Sequence, residues 1–217
     1  MGINMDYRNT DICTSLSEVP AKKSRLDEKI RGEHKKAKIM YNCINDKQGD
    51  YFKEFAKIYN HKCAYCGASL KFTDVRLFEI DHFVCEAAFS DDTAGRAKAG
   101  KIENLTLSCY SCNRGKGRLH IDADHQPILN PDDNSIAAVF YRNEDYYIEI
   151  NNIYSEDSLI QLFYEKLLLG SEARRLDFLL LEMDNLIGKL RISNQELANK
   201  LEQCTGKLMQ KKNYAFA

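Results

Sequence analysis

The chain has 217 residues, with 31 Lys and Arg against 32 Asp and Glu and a formal net charge of −1 at pH 7. This length fits one domain or a small domain with extensions, and the charge argues against a strong stand-alone polyanion binder. No apolar run approaches the length of a membrane span, and the first residues lack the features of a signal peptide. Eight cysteines in such a chain favour metal ligands or free thiols over disulfides, and hence a reducing cytoplasm.

The charge is segregated along the chain. Residues 21–38 carry eight Lys or Arg against three acids, residues 95–118 carry six against one, and residues 122–165 carry ten acids against one Arg. One explanation is a basic working face with an acidic far side, and the other is a set of solvated faces. Under the first explanation, the stretch 21–38 contacts nucleic acid or an acidic partner.

The N-terminal third predicts an arm followed by helix. Residues 1–20 are polar and irregular and end at Pro20. Residues 21–59 contain no Pro and are rich in Lys and Glu, which predicts helix with a break at Gly49.

The middle of the chain predicts strand, loop, strand and helix in that order. Residues 76–84 have the composition of a strand, and residues 85–103 are small and polar with two glycines, which predicts a mobile loop. Residues 105–107 predict a second short strand, and residues 111–116 a helical turn.

The C-terminal part predicts a β-hairpin at residues 136–150 and helix from Ser155 onward. A capping box at Ser193 and Glu196 favours a helix break there, giving an intramolecular hairpin of helices. An unbroken apolar seam with Asn194 as its one polar position instead favours a single long helix, which could dimerise. Both alternatives stay open, and the seam is formed by Leu176, Leu180, Met183, Ile187, Leu190, Asn194, Leu197, Leu201, Cys204 and Leu208.

Two Cys-x-x-Cys pairs bracket the middle segment. Cys63 and Cys66 form the first, and Cys109 and Cys112 the second. Each spacing lets two thiolates reach one tetrahedral ion, and a tightly bound ion offsets the entropy of closing the long loop between the pairs. The pattern predicts a structural zinc with no open coordination position; four buried free cysteines are the alternative.

An acid–histidine–asparagine set lies inside this bracket. Glu79 and Asp81 are two apart on the predicted strand and share a face. Asp81 and Asn113 offer oxygen ligands that suit a hard cation such as Mg²⁺. His82 can act as a base near pH 7. The neighbouring cations Arg114, Lys116 and Arg118 can bind phosphates.

The stretch at residues 60–120 resembles the HNH, or ββα-metal, endonuclease family in its zinc-braced form, a module that CRISPR effector nucleases also carry. The matching elements are Asp-His at 81–82, Asn104, and the segment CNRGKG at 112–117. One departure is Cys85, where many family members have Pro, and this bears on loop geometry rather than on the chemistry.

The resemblance implies a role for each matching residue. His82 is the general base that activates water, and Asp81 and Asn113 are the ligands of a catalytic Mg²⁺ or Mn²⁺. Asn104 is the middle family residue, which orients His82 and pins the loop, and Glu79 is an auxiliary ligand. Arg114 and Lys116 bind phosphate. The expected substrate is DNA, cut to leave 5′-phosphate and 3′-hydroxyl ends.

The expected fold class is α+β and mainly helical, with a small zinc-braced ββα-metal core between N-terminal and C-terminal helices. We expect an N-terminal arm with basic helices at residues 1–59, the nuclease core at residues 60–125, and a hairpin with a helical region at residues 126–217.

No recognisable sequence-reading domain accompanies the motif, so specificity is low or borrowed from a partner. Small HNH proteins with extra helical arms resemble nuclease subunits of anti-phage systems such as Septu, which work with an ATPase. A free-standing restriction-type or mobile-element nuclease is the rival within the enzyme class. The rival outside it is a zinc-dependent adaptor that binds nucleic acid or protein without catalysis.

Overall fold

The computed structural model describes residues 6–10, 16–133 and 135–215 of the chain. The architecture is α+β and mainly helical with two small two-stranded sheets, as predicted. Within the described ranges, no helix combines the length and apolarity needed to cross a membrane. The elements are α1 (Val19–Glu33), α2 (Met40–Ile44), α3 (Asp50–Ile58), β1 (Phe78–His82), α4 (Thr93–Ala99), β2 (Leu105–Cys109), α5 (Tyr110–Lys116), α6 (Gln126–Leu129), α7 (Ile136–Val139), β3 (Phe140–Arg142), β4 (Ile148–Ile150), α8 (Ser158–Lys166), α9 (Glu172–Ser193) and α10 (Gln195–Ala215).

The N-terminal helical stretch breaks in one more place than predicted. Gly49 does precede α3, but residues 34–39 also leave the helix between α1 and α2. The second start is set by a distant group, because the backbone amides of Met40 and Tyr41 donate to the carbonyl oxygen of Gly100, at 2.9 and 3.3 Å. The helix propensity of residues 21–59 does not depend on this distant contact and so could not indicate the break. The prediction of one helix up to Gly49 was wrong.

One cation of the predicted basic face points into the protein. Lys23 is buried, forms an ion pair with Asp132, and lies at a carboxylate that also accepts a 2.7 Å hydrogen bond from the Tyr59 hydroxyl. Burial lowers the pKa of Lys23, and Asp132 opposes that effect. Lys23 therefore joins α1 to the interior, and contact with nucleic acid stays a prediction for the remaining cations of residues 21–38.

Strands β1 and β2 form an antiparallel pair that is followed directly by α5. Their register places Asp81 opposite Thr106 and His82 opposite Leu105. The two predicted strands and the helix after them are thus confirmed, although β1 ends at His82 instead of residue 84. This ββα unit puts the acid–histidine pair at the end of one strand and α5 beside it.

The segment between β1 and β2 is more ordered than the predicted loop. It contains α4 and 3₁₀ turns at Glu86–Ala88 and Ile102–Asn104. Asp92 caps α4 by accepting a 2.6 Å hydrogen bond from the Gly95 amide. A side chain at Gly95 would collide with the backbone of Ser90, so glycine is required by packing here. Close approach of the backbone therefore explains the glycine at position 95.

The β-hairpin predicted at residues 136–150 is present in shortened form. Residues Ile136–Val139 form helix α7, and only β3 and β4 pair as strands. The turn between them is organised by Asn143, whose Oδ1 atom accepts hydrogen bonds from the amides of Asp145 and Tyr147 at 3.0 and 2.9 Å.

The C-terminal region forms two helices, α9 and α10, which settles the alternative in favour of the hairpin. The break falls at Asn194, whose Oδ1 atom accepts a 3.0 Å hydrogen bond from the Leu197 amide. Ser193, the predicted cap, instead donates to the carbonyl oxygen of Lys189. Leu197 is 47 % exposed and Cys204 is also exposed, so the prediction that these two positions belong to a buried apolar seam was wrong.

Candidate metal cage and acid–histidine site

The four paired cysteines converge on one point. Their Sγ atoms all lie within 4.8 Å of one another, and those of Cys66 and Cys109 are 3.8 Å apart. A tetrahedral zinc with Zn–S bonds of about 2.3 Å requires sulfur atoms about 3.8 Å apart. Cys63, Cys66, Cys109 and Cys112 are buried, so the cage fits an enclosed structural zinc ion.

Local geometry explains how each pair reaches the cage. The first pair lies on a turn that ends at Gly67, which has a positive φ of 78° and no room for a Cβ atom beside Arg8. The turn is closed by a 2.8 Å hydrogen bond from the Cys63 amide to the carbonyl oxygen of Ala68. The second pair spans the end of β2 and the first turn of α5. The ββα unit and the cage therefore share one framework.

A guanidinium group from α9 covers the cage. Arg174 is 3 % exposed, and its Nη1 and Nη2 atoms lie 3.5 Å from the Cys109 sulfur and 3.2 Å from the Cys112 sulfur. Nη2 also donates to Ser111 Oγ at 3.0 Å. Burial alone would lower the pKa of Arg174, but the negative cysteine sulfurs hold it well above its usual value. Arg174 thus supplies a positive charge that balances the cysteine sulfurs of the cage. No sequence motif predicted this contact.

Asp81 lies at the floor of the acid–histidine site. It is 5 % exposed, its Oδ2 atom accepts a 2.6 Å hydrogen bond from the Tyr65 hydroxyl, and its Oδ1 atom is 3.2 Å from Lys116 Nζ. Thr106 in turn donates to the Tyr65 hydroxyl at 3.2 Å. Burial raises the pKa of Asp81, while Lys116 and Tyr65 act in the opposite direction. Both oxygens are held in place, which fixes the carboxylate.

Lys116 occupies an interior position. It is 1 % exposed, and besides Asp81 it donates a 2.8 Å hydrogen bond to the carbonyl oxygen of His82. It thus ties α5 to the end of β1. The phosphate contact of Lys116 stays a prediction, and it would require this ion pair to open.

His82 is half-buried, and its ring stacks on the ring of Tyr41, with centroids 4.8 Å apart and planes 25° from parallel. Burial lowers the pKa of His82, whereas the nearby Glu86 raises it. Among the residues that the structure describes, neither ring nitrogen of His82 has a hydrogen-bond partner. The imidazole is therefore held by its face, with its nitrogens available.

Asn104 fastens the segment that follows His82. Its Oδ1 atom accepts from the Val84 amide at 2.9 Å, and its Nδ2 atom donates to the carbonyl oxygens of Val84 and Ala99 at 3.0 and 2.9 Å. Its own carbonyl oxygen accepts from the Phe83 amide at 2.8 Å. These contacts join residues 83–84 to the end of α4, and the role of Asn104 in orienting His82 stays a prediction.

Asn113 and Arg114 of α5 reach back to the strand. Asn113 Nδ2 donates to Glu79 Oε2 at 2.6 Å, and Arg114 Nη2 donates to Glu79 Oε1 at 2.9 Å. The Arg114 side chain remains 64 % exposed. The contact through Nδ2 orients the Asn113 amide, and among the described residues no donor contacts its side-chain oxygen, which can therefore bind a cation.

Two clefts open on either side of His82. Their volumes are about 560 and 490 Å³, and both are lined by Asp81, His82 and Asn113. Basic side chains line each of them: Arg96 and Arg118 in the larger, Lys47 and Arg114 in the smaller. Acidic side chains line them as well, Glu86 and Asp91 in the larger and Asp46 and Glu79 in the smaller, and the three shared residues lie where the two clefts adjoin.

Sequence reasoning missed three groups that shape the site, namely Tyr41, Tyr65 and Arg174. Tyr41 and Arg174 lie outside the stretch with the motif, and no fixed spacing connects them to it. Tyr65 lies between the two cysteines of the first pair, where the Cys-x-x-Cys pattern specifies no residue type. Only the three-dimensional contacts reveal them.

Comparison with protein families gives the class of this site. Residues 63–119, about a quarter of the chain, match the family model for HNH endonuclease. The chain therefore contains an HNH endonuclease domain that includes the cysteine cage, both strands and α5, and this supports a nuclease function in general. No curated protein and no solved structure matches the chain.

Proposed function

We propose that this protein is a metal-dependent endonuclease that hydrolyses DNA phosphodiester bonds, with His82 as its general base. The observation that carries the proposal is the junction of the two clefts. Asp81, His82 and Asn113 line both. A strand bound across the two clefts would bring one phosphate over all three residues, with Arg96 and Arg118 in one cleft and Lys47 and Arg114 in the other available to its neighbours.

The base is the imidazole of His82. A general base must lie within hydrogen-bond reach of the proton that it removes, directly or through water. The ring nitrogens have no partner among the described residues, so one is available to accept a proton from an attacking water molecule. The Lys116 ammonium holds the carbonyl oxygen of the same residue, which limits drift of the backbone during proton transfer.

The donor set beside His82 fits a hard divalent cation. Asp81 and Asn113 supply one carboxylate and one amide oxygen, and Glu79 is an auxiliary carboxylate on the same strand face. Oxygen ligands of this kind suit Mg²⁺ or Mn²⁺, which retain several waters and bind substrate phosphates. When bound, the cation supplies neutralisation of charge on the scissile phosphate and the leaving oxygen. Lys116 fixes the orientation of Asp81 from behind.

Arg114 is the best placed phosphate ligand of α5. It is exposed, lines the smaller cleft, and its guanidinium is oriented by the contact of Nη2 with Glu79. Arg96 and Arg118 offer charge in the other cleft. A guanidinium binds phosphate in two-point geometry, which adds orientation to the attraction.

In the proposed enzyme the cysteine cage has a structural role and takes no part in the reaction. With four cysteine ligands, a zinc ion has no open position for water or substrate. Its role is to hold β2 and α5 against the turn at residues 63–66, and thereby to position Asn113.

A plasmid-cleavage assay tests the proposed activity. We expect nicking that requires Mg²⁺ or Mn²⁺, stops with chelator, and falls by a factor on the order of 10²–10⁴ in His82→Ala, because a general base is lost. His120→Ala, a change at an exposed histidine outside the clefts, is the matched control and should cut at the wild-type rate. If His82→Ala cuts as fast as wild type, the assignment is wrong; DNA binding without cleavage by the wild type would instead support a zinc-dependent adaptor.

We also propose that the nuclease is the effector of an anti-phage system that works with an ATPase. The support is the resemblance of a small HNH protein with helical arms to such subunits, together with the lack of a recognisable sequence-reading domain. The test is cleavage with and without an ATPase encoded beside it. Stimulation by that ATPase and nucleotide supports the role, and full activity of the isolated chain with no such neighbour contradicts it. Since one such site cuts one strand, light scattering of the active form should reveal two copies if both strands are cut together.

A further inference from the structure

The geometry points to Tyr41 as a positioning residue for His82, supplied by a helix outside the HNH domain. This inference rests on the proposed function, since it assigns Tyr41 a role through the proposed base. Tyr41 precedes Cys63, where the family match begins, and nothing in the motif requires an aromatic side chain there.

The contact between the two rings is a stack. Centroids 4.8 Å apart and planes within 25° of parallel fall in the range of offset aromatic stacking. Such an arrangement restricts rotation of the imidazole about its side-chain bonds but leaves both ring nitrogens uncovered. It therefore orients a base without consuming the atoms that accept the proton.

Tyr41 is itself firmly placed. The amides of Met40 and Tyr41 donate to the carbonyl oxygen of Gly100, at the end of α4. A side chain at Gly100 would press on Ile39, so the two backbones meet closely at this point. Met40 and Ile44 are buried, which anchors the rest of α2. The stacking ring thus stands on a backbone that is bonded to the nuclease domain.

The remaining contacts of His82 act on its backbone. Pairing with Leu105 fixes the strand position, and Lys116 holds the carbonyl oxygen. Asn104 fastens residues 83–84. In the described part of the chain, the ring of Tyr41 is the only aromatic group stacked on the imidazole, so the side-chain orientation of His82 depends on it.

A rival role for Tyr41 is contact with substrate, because it also lines the smaller cleft with Lys47 and Arg114. A tyrosine that stacked on a nucleotide would raise the KM when removed. One that orients the base lowers kcat and leaves KM nearly unchanged. The two roles therefore separate in steady-state kinetics.

The experiment compares Tyr41→Leu and Tyr41→Phe, with zinc content and thermal unfolding measured on each. We expect Tyr41→Leu to lower kcat on the order of 10-fold with KM unchanged, a factor comparable with the strength of an aromatic pair. Tyr41→Phe keeps the stack and should retain the wild-type kcat. Should the Leu variant be poorly folded, Tyr41→Met provides the same test.

A double-mutant cycle establishes that the effect passes through His82. In His82→Gly, added imidazole should restore part of the cleavage, and Tyr41→Leu in that background should remove the restoration because the ring no longer has a surface to stack on. Without imidazole, Tyr41→Leu should cost nothing further in that background. Equal losses with and without His82, or a loss confined to KM, would overturn the inference.

Failure of this inference is distinct from failure of the proposed function. If His82→Ala keeps full activity, the general-base assignment falls. If His82→Ala is inactive but Tyr41→Leu matches wild type in both kcat and KM, the base assignment stands and the positioning role falls.

Discussion

Among the contacts that the two flanking helical regions make with the HNH domain, Tyr41 from the N-terminal side and Arg174 from the C-terminal side differ in place and in physics. From the N-terminal side, Tyr41 lays a ring on His82. From the C-terminal side, Arg174 places a buried cation on the cysteine cage. One contact lies at the proposed reaction centre and the other at the proposed structural metal.

The Tyr41 contact and the Arg174 contact differ in what their removal would cost. An aromatic ring stacked on an imidazole can be replaced by another ring of similar shape. A buried guanidinium needs negative charge beside it, and a cage of thiolates needs positive charge, because uncompensated charge is costly away from water. The N-terminal contact should therefore govern rate, and the C-terminal contact should govern stability and metal retention.

The largest effect in this comparison should come from the cage itself. Cys66→Ser removes one of four ligands, and because zinc binding and folding are coupled, we expect a metal-depleted, poorly folded protein. Zinc content and thermal unfolding are the measurements. Cys43→Ser makes the same chemical change outside the cage and should keep both at wild-type values. A well-folded wild type without zinc would contradict the cage.

Loss of Arg174 should have the next largest effect. Arg174→Met leaves the thiolates without their counter-charge, and breaking a buried charge pair costs about 3 kcal/mol. We expect a lower free energy of unfolding and faster zinc loss to a chelator, measured by chemical denaturation and a colorimetric zinc indicator.

The neighbouring arginine serves as the control for this change. Arg175 is part-exposed and pairs with Glu172, so Arg175→Met should have little effect on zinc retention. Arg174→Lys keeps the charge without the two-point contact and should fall between wild type and Arg174→Met. Equal zinc loss from Arg174→Met and Arg175→Met would contradict the role of Arg174 as the counter-charge of the cage, and with it the proposed difference between the two flanking regions.

The smallest effect concerns a contact between the segment that follows the HNH domain and helix α8. His125 lies between Asp122 at 2.6 Å and Asp157 at 3.0 Å, and Asp157 caps α8. These two carboxylates raise the pKa of His125 above its ordinary 6.5. The stability from this contact is therefore fully present below pH 6.5 and is lost as the pH rises through the raised folded-state pKa.

His125→Gln tests this sign. Its melting temperature should fall below that of wild type at pH 6, and the gap should narrow as the pH rises past the folded-state pKa. The pKa values of Asp122 and Asp157 are lowered by hydrogen bonds, so the contact weakens again only in acid. His120→Gln is the matched control. A gap that widens with increasing pH would contradict the assignment.

The ββα unit and the cage were predictable because their residues are tied to chemistry at fixed spacing. Two ligand pairs specify an ion, and the ion specifies which backbone segments meet. The acid–histidine dipeptide on a strand and the asparagine after the second pair then fall near each other. These constraints come from short sequence spacings or from shared binding of one metal ion, and both can be recognised in the sequence.

What the sequence could not give depends on distant partners. Lysines such as Lys23 and Lys116 are expected at the surface, but here both are buried because each forms an ion pair, with Asp132 and Asp81 respectively. The start of α2 is set by the carbonyl oxygen of Gly100, which lies far along the chain. At the helical hairpin the predicted seam fails after the break, where Leu197 and Cys204 are exposed. The break itself fell at Asn194 rather than Ser193, because two adjacent residues compete for the same capping role.

The order of the cage ligands along the chain also bears on how the protein assembles. The first pair lies within one turn, the second begins only at Cys109, and Arg174 comes much later, on α9. Closing a longer loop costs more entropy, although only logarithmically, and non-local contacts form late. During synthesis the chain can therefore capture its ion before the C-terminal hairpin has left the ribosome. We expect stalled chains that end near position 150 to hold zinc already. The contact of Arg174 with the cage would form last.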